Sequence, residues 1–176
     1  MAIVHGTLSA TVSKKAKSGI IECRKKVEAM ARGKKAIYGI NTGFGPLCDT
    51  QITPKETNQL QVNLLITHAV GVGAPIDTKI AKAMMVCKVH SLCKGYSGIR
   101  LKVIERIIYF IENNLIPIVP EQGSVGASGD LAPLSHLFLT LIGEGEFRIK
   151  NKIVSAEKVL KKHDLLPIEL RAKEGL

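Results

Sequence analysis

The tripeptide Ala127-Ser128-Gly129 holds the residue types that a backbone needs to make an electrophile of itself. A small residue and a glycine let the chain fold back until the Gly129 nitrogen reaches the Ala127 carbonyl carbon and closes a five-membered ring. Loss of water, including the Ser128 hydroxyl, then leaves a conjugated methylene. Ordinary side chains are not strongly electrophilic, so an enzyme that must turn an amine into a leaving group needs a cofactor or a self-made group of this kind. Taken alone, the tripeptide reads equally as a glycine-rich turn before a helix, and short motifs recur by chance.

Behind the turn, Leu131, Leu134, Leu137, Phe138, Leu141 and Ile142 recur at helical spacing, which predicts a loop running straight into a buried helix. Pro133 suits a first helical turn, where its missing N–H costs nothing, and the free amides there favour negative charge or a developing anion. The start of that helix faces whatever the loop holds.

The full stretch Gly-Ser-Val-Gly-Ala-Ser-Gly-Asp-Leu-Ala-Pro-Leu-Ser-His, ending at His136, resembles the signature of the aromatic amino acid ammonia-lyases. Further blocks resemble the same family in the same order: Tyr38-Gly-Ile-Asn-Thr-Gly-Phe-Gly45, and Leu60-Gln-Val-Asn-Leu-Leu-Ile-Thr-His68-Ala-Val-Gly-Val-Gly-Ala-Pro75. The likeness starts near residue 20 and continues through Lys94-Gly-Tyr-Ser-Gly-Ile-Arg100 to Ala172-Lys-Glu-Gly-Leu176.

The resemblance implies a prosthetic group, methylidene imidazolone (MIO), formed autocatalytically from Ala127, Ser128 and Gly129. It implies that Tyr38 is the base that removes a β-proton, a task for which a phenol must be activated by neighbours or a helix-end field. His68 aligns with the substrate-recognition histidine of histidine and tyrosine ammonia-lyases, where phenylalanine-specific members carry an apolar residue. Without the resemblance, Tyr38 reads as a tyrosine buried at a loop hinge and His68 as a capping or core histidine. The implied reaction is elimination of ammonia from L-histidine to give urocanate. The alternatives are a tyrosine or phenylalanine ammonia-lyase, an aminomutase component, or a non-catalytic fragment.

The implied fold is mainly α, the N-terminal part of the ammonia-lyase/fumarase-like helical fold. Residues 1–176 read as one mainly helical domain, incomplete at its C-terminus, with a small β-hairpin near 147–153. Family members are much longer and assemble each active site from several subunits. This sequence stops before their Asn-Gly-Thr block, so the expected partner is a complementary C-terminal lyase chain in a hetero-oligomer or homo-oligomer.

Composition narrows the classes. Hydrophobic residues make up 45% and charged residues 23%, which suits a globular protein, and aromatics at 4% leave an aliphatic core of the kind helices pack. No apolar run nears the roughly 20 residues that span a bilayer, and no signal peptide is evident, so the expected location is cytoplasmic, without a membrane partner. Cys23, Cys48, Cys87 and Cys93 lack paired spacing and read as small hydrophobic residues in a reducing compartment, with no metal site. The net charge of +10 is concentrated between Lys14 and Lys35, where nine Lys or Arg residues face only Glu22 and Glu28. With no interleaved aromatic platform, this reads as a solvated helix face, not a nucleic-acid footprint.

The elements that must position the chemical residues follow from periodicity and caps. Ser13 to Arg32 predicts an amphipathic helix with Ala16, Ile20, Cys23, Val27 and Met30 inward and Gly33 as its stop. Thr53-Pro54-Lys55-Glu56 is a capping box opening the helix that ends near His68. Asp77 or Thr78 caps a helix to about Lys94, with stripes Ile80/Met84/Cys87/Ser91 and Ala81/Met85/Val89/Leu92, before Gly95 and Gly98 break it. Ile99 to Asn113 turns Val103, Ile107, Phe110 and Ile111 inward, and Pro117 and Pro120 hold the next segment extended. Alternation around a Lys-Asn turn predicts the hairpin, Ser155 caps a short helix to about His163, and a further helix is expected from Glu169 to Leu176.

Overall fold

Ser13, Thr53 and Asp77 open the first three helices, each accepting a hydrogen bond from a backbone N–H that the helix cannot satisfy itself. The computed structural model describes residues 1–150 and 152–175, with Ser128 described through its backbone. These helices are α1 (Lys14–Arg32), α2 (Pro54–His68) and α3 (Thr78–Leu92), followed by α4 (Leu101–Glu112), α5 (Leu131–Leu139) and α6 (Ala156–Lys162). At α2 the capping box is complete: Thr53 Oγ1 accepts from Glu56 N at 3.3 Å and Glu56 Oε2 accepts from Thr53 N at 2.7 Å. That carboxylate is held below its ordinary pKa by the Thr53 hydrogen bonds.

The strands are β1 (Val72–Pro75), β2 (Ile116–Pro117), β3 (Pro120–Gln122), β4 (Glu146–Ile149) and β5 (Lys152–Ser155). β4 and β5 form the expected hairpin, with Phe147 opposite Val154. The Asn151 half of its turn lies outside the described residues. The hairpin is extended by β2, which pairs antiparallel with β4. β1 and β3 form a second, separate antiparallel pair.

The core gathers on α4, whose Val103, Ile104, Ile107, Phe110 and Ile111 are buried. The rings of Phe110 and Phe147 meet edge to face at 5.0 Å between centroids, a favourable aromatic geometry. From α3 it is the stripe Ala81, Met85, Val89 and Leu92 that faces inward, while Ile80 and Cys87 are exposed. α5 buries Ala132, Ser135, Leu137 and Leu139 and continues as a 3₁₀ turn over Thr140–Ile142. No helix among the described residues is long and apolar enough to cross a membrane.

Two expectations are corrected. In α1 the buried face runs through Ile20, Arg24 and Val27, and Met30 is 43% exposed. Arg24 is admitted because Nη1 donates to the Gly98 carbonyl at 3.0 Å and to the Ala172 carbonyl at 2.9 Å, while Nε pairs with Glu28 at 2.8 Å. The second correction is the helix expected from Glu169, which does not form among the described residues. Its carbonyls are taken by arginines instead of by the i+4 amides of a helix: Glu169 accepts from Arg100 and Ala172 from Arg24. Glu174, fully buried, pairs with Arg100 and lies 3.7 Å from Arg24.

A buried carboxylate between two guanidinium groups is costly to remove, because it leaves charges that are out of water and unpaired. Glu174→Ala should therefore lower stability by about 3–5 kcal/mol in urea unfolding. Leu166→Ala, at a position 81% exposed, should stay within about 0.5 kcal/mol of the parent.

Candidate active site

His68 ends α2, and the turn after it is pressed against the loop that carries Ala127-Ser128-Gly129. The His68 Nδ1–H donates to the Leu64 carbonyl at 2.8 Å, with the Thr67 hydroxyl at 3.3 Å. A carbonyl can only accept, so in the neutral ring Nε2 is left as an acceptor. Three residues on, the Gly71 N–H donates to His136 Nε2 at 2.9 Å. β1 then pairs with β3, Val72 opposite Gln122, and β3 leads into the Ala-Ser-Gly loop.

The approach of the two segments leaves no room for side chains. A methyl group on Gly123, where φ is +148°, would sit 2.9 Å from the Gly71 Cα. A methyl on Gly71 would sit 3.1 Å from the Gln122 carbonyl oxygen and 3.2 Å from His136 Nε2. Glu121 lines the same junction, its Oε1 accepting from Ala74 N at 3.4 Å.

Residues Gly126–Ser128 form a single 3₁₀ turn, closed by Gly129 N donating to the Gly126 carbonyl at 3.4 Å. Gly129 has φ +90°, a conformation that glycine adopts without strain. Across the turn, the Ser124 hydroxyl donates to Asp130 Oδ1 in a short hydrogen bond, so the loop is fastened at its two ends. The expected catalytic role of the Ser128 side chain lies outside the described residues.

Tyr38 occupies a different environment. Its turn is held by buried Asn41, whose Oδ1 accepts from Ile37 N at 2.8 Å and whose Nδ2 donates to the Gly33 and Lys35 carbonyls at 3.2 and 3.0 Å. The Asn41 carbonyl accepts from Ile52 N at 3.1 Å, which ties the turn to the N-terminal end of α2. His68 lies at the other end of that helix, about 20 Å away for fifteen residues. The Tyr38 ring meets Phe44 edge-on at 5.5 Å and is 59% exposed. Among the described residues, no hydrogen bond links it to His68 or to the 126–130 segment.

The structure thus joins the turn that follows His68 to Gln122, Gly123 and His136 on either side of the Ala-Ser-Gly loop, and keeps Tyr38 apart. Sequence reasoning assigned no role to Asn41, Ser124, Asp130 or His136. Ser124 and Asp130 flank the turn symmetrically, which is a readable signal. His136 offers none, since its partner Gly71 lies 65 residues away.

A family model for aromatic amino acid lyases matches residues 1–176. The chain belongs to the aromatic amino acid lyase family. It is 47% identical over 165 residues to a histidine ammonia-lyase of Staphylococcus saprophyticus, covering 94% of this chain and 33% of that protein. It is 43% identical over 167 residues to the histidine ammonia-lyase of Bacillus subtilis, covering 95% and 33%. Among solved structures, the histidine ammonia-lyase of Trypanosoma cruzi superposes with TM-score 0.87 at 38% identity over 96% of this chain and 32% of that one. The tyrosine aminomutase of Streptomyces globisporus gives 0.89 at 32% identity, over 99% and 33%. The chain therefore spans about a third of the length of these family members, and its mainly helical fold is theirs over that third.

The Gly71–Gly123 contact gives a direct test of how tightly the loop is held. Gly123→Ala must relieve both a positive φ and a backbone clash, so it should cost roughly 1–3 kcal/mol in urea unfolding. Gly126→Ala, where an added methyl meets nothing within 4 Å, should cost less than about 0.5 kcal/mol. Equal effects would mean that the two segments do not pack as described.

Proposed function

We propose that this chain supplies the electrophile, the base and one substrate-recognition residue of a histidine ammonia-lyase, with a C-terminal polypeptide supplying the rest of the pocket. The observation that carries the reading is the packing of the turn after His68 on Gln122, Gly123 and His136, which flank the Ala127-Ser128-Gly129 loop, in a chain that belongs to the aromatic amino acid lyase family. The relatives named histidine ammonia-lyase support the choice of L-histidine.

The residues of the loop fit formation of MIO. A 3₁₀ turn is the tightest of the common helical turns, and it shortens the path from Gly129 N to the Ala127 carbonyl carbon. Gly129 at φ +90° has nothing within 4 Å of an added Cβ, so the glycine answers to backbone conformation, not to crowding. The MIO would supply an electrophilic methylene that makes the substrate amine a leaving group.

The chain's own residues account for the remaining steps. His68 Nε2 accepts the ring N–H of the substrate imidazole, which orients its side chain. Tyr38 as its phenolate takes the β-proton and becomes the phenol, the C–H pair forms the carbon–carbon double bond of urocanate, and the C–N bonding pair leaves with the amine nitrogen. Because Tyr38 stands on an exposed turn, its closure over the site belongs to the assembled enzyme. Val70, Val72, Val125 and Leu131, all exposed around the two loops, supply apolar surface that a C-terminal lyase chain would cover. We place the assembly in the cytoplasm, where Cys23, Cys48, Cys87 and Cys93 stay as the free thiols they are here.

Coexpression with the C-terminal two-thirds of the Staphylococcus saprophyticus relative tests the reading by size exclusion and by urocanate absorbance. A stable complex that forms urocanate supports it; a complex turning over only tyrosine or phenylalanine replaces the substrate, and failure to associate removes the split enzyme. Within such a complex, Ser128→Ala should abolish turnover and abolish the mass deficit of two waters that marks the matured chain. Full activity in that variant would exclude MIO.

The two other residues separate by kinetics. Tyr38→Phe should lower kcat at least ~100-fold with little change in KM, as expected when a positioned base is lost. His68→Leu should instead shift preference from histidine toward phenylalanine, read as the ratio of the two kcat/KM values. Wild-type behaviour of both variants would reduce these loops to structural elements.

A further inference from the structure

Gly71 and His68 belong to one short turn, which the β1–β3 pairing and the Gly71–Gly123 approach hold from its far side. Ala69 packs against the core, but Val70 is 67% exposed and Val72 beyond is 61% exposed, so apolar packing holds only the start of the turn. The turn closes on itself through Val70 N donating to the His68 carbonyl at 2.9 Å. Its side-chain attachment to α5 is the Gly71 N–H to His136 Nε2 hydrogen bond at 2.9 Å.

α5 begins at Leu131, directly after the loop that Ser124 and Asp130 fasten. One rigid helix therefore carries the Ala-Ser-Gly loop at its head and grips the His68 turn with a residue in its second turn. We propose that His136 is a positioning residue for the lyase reaction: its neutral Nε2, by accepting the Gly71 N–H, fixes the His68 turn relative to the Ala127-Ser128-Gly129 loop. This rests on the reading of His68 as the recognition residue.

The bond requires one protonation state. A neutral imidazole accepts at Nε2 with its proton on Nδ1, whereas an imidazolium has N–H on both nitrogens and accepts nothing. His136 is half-buried, and that burial lowers its pKa from the ordinary imidazole value, which favours the accepting form. The titratable groups on the elements around it are Lys55, Glu56 and His68 on α2, Glu121 on β3 and Asp130 at the head of α5, with Lys55 and Glu56 at the far end of α2. With the folded pKa depressed, the bond is complete above the unfolded imidazole value of about 6.5 and is lost as pH falls through the lower folded value.

The test follows the Gly71 amide in the ¹⁵N-labelled chain, then kinetics in the coexpressed complex. At pH 7.5 the His136 ring should be the Nδ1–H tautomer and the Gly71 amide should be protected from exchange. Protection should fall as pH drops through the His136 titration. His136→Leu should speed Gly71 exchange about tenfold at pH 7.5, in keeping with loss of a single hydrogen bond, and the difference from the parent should vanish below the His136 titration. His136→Gln, which retains an uncharged acceptor at the same reach, should keep the protection and lose its pH dependence.

In the complex, His136→Leu should raise KM for histidine about tenfold with a smaller effect on kcat, and His136→Gln should restore it. Unchanged Gly71 exchange in the leucine variant, or the same pH dependence in the glutamine variant, would overturn the positioning role. A parent complex without urocanate formation would count against the proposed function, while the exchange measurements would still decide whether His136 holds the turn.

Discussion

Two glycine backbones in contact set the geometry on which the rest of the site depends. Gly71 and Gly123 approach so closely that a Cβ on either meets backbone atoms of the other segment. That approach is what allows β1 to pair with β3 and His136 to reach the Gly71 amide. Any larger residue would push the His68 turn away from the loop behind it. The segments are distant in sequence, so the contact carries a loop-closure cost that the packing of α2 on α5 offsets.

Around this junction the fold supplies rigidity by burial and by charge. α4 buries five apolar side chains, and Met85 of α3, Leu137 of α5 and Phe147 of β4 belong to the same core cluster. On the far side, Arg24, Arg100 and Glu174 replace apolar packing with a buried ionic cluster. Such a cluster adds little net stability compared with well-packed hydrophobes, but it demands one arrangement of its partners. Here it holds the chain's last described segment against α1 and the start of α4, with Gly175 N donating to Gln61 of α2 at 2.9 Å.

The same cluster explains the most consequential departure from the periodic reading. Residues from Glu169 onward have helical composition, yet a helix forms only when its carbonyls find amides four residues on. Arg100 and Arg24 occupy those carbonyls first, and Lys173 takes φ +70°. Arg24 itself lies at a helical position that a hydropathy pattern assigns to solvent, because a pattern counts the charge and not the carbonyls that await it.

What the sequence determined was local. The Thr53-Glu56 box, the Ser13 and Asp77 caps, the inward face of α4 and the β4–β5 hairpin depend on residues within a few positions of one another, so their physics is written in adjacent letters. Membership of the lyase family was legible for a similar reason, since the motif blocks around Tyr38, His68 and Ser128 are contiguous stretches. Tertiary structure alone decided which of these blocks meet. It brought the turn after His68 to the residues that flank the Ala-Ser-Gly loop, through glycines and a histidine whose partners lie far along the chain, and it left Tyr38 on a turn anchored by Asn41 at the opposite end of α2. Contacts of that kind are set by shape and by the competition for buried hydrogen-bonding groups, and neither is local to the residues that make them.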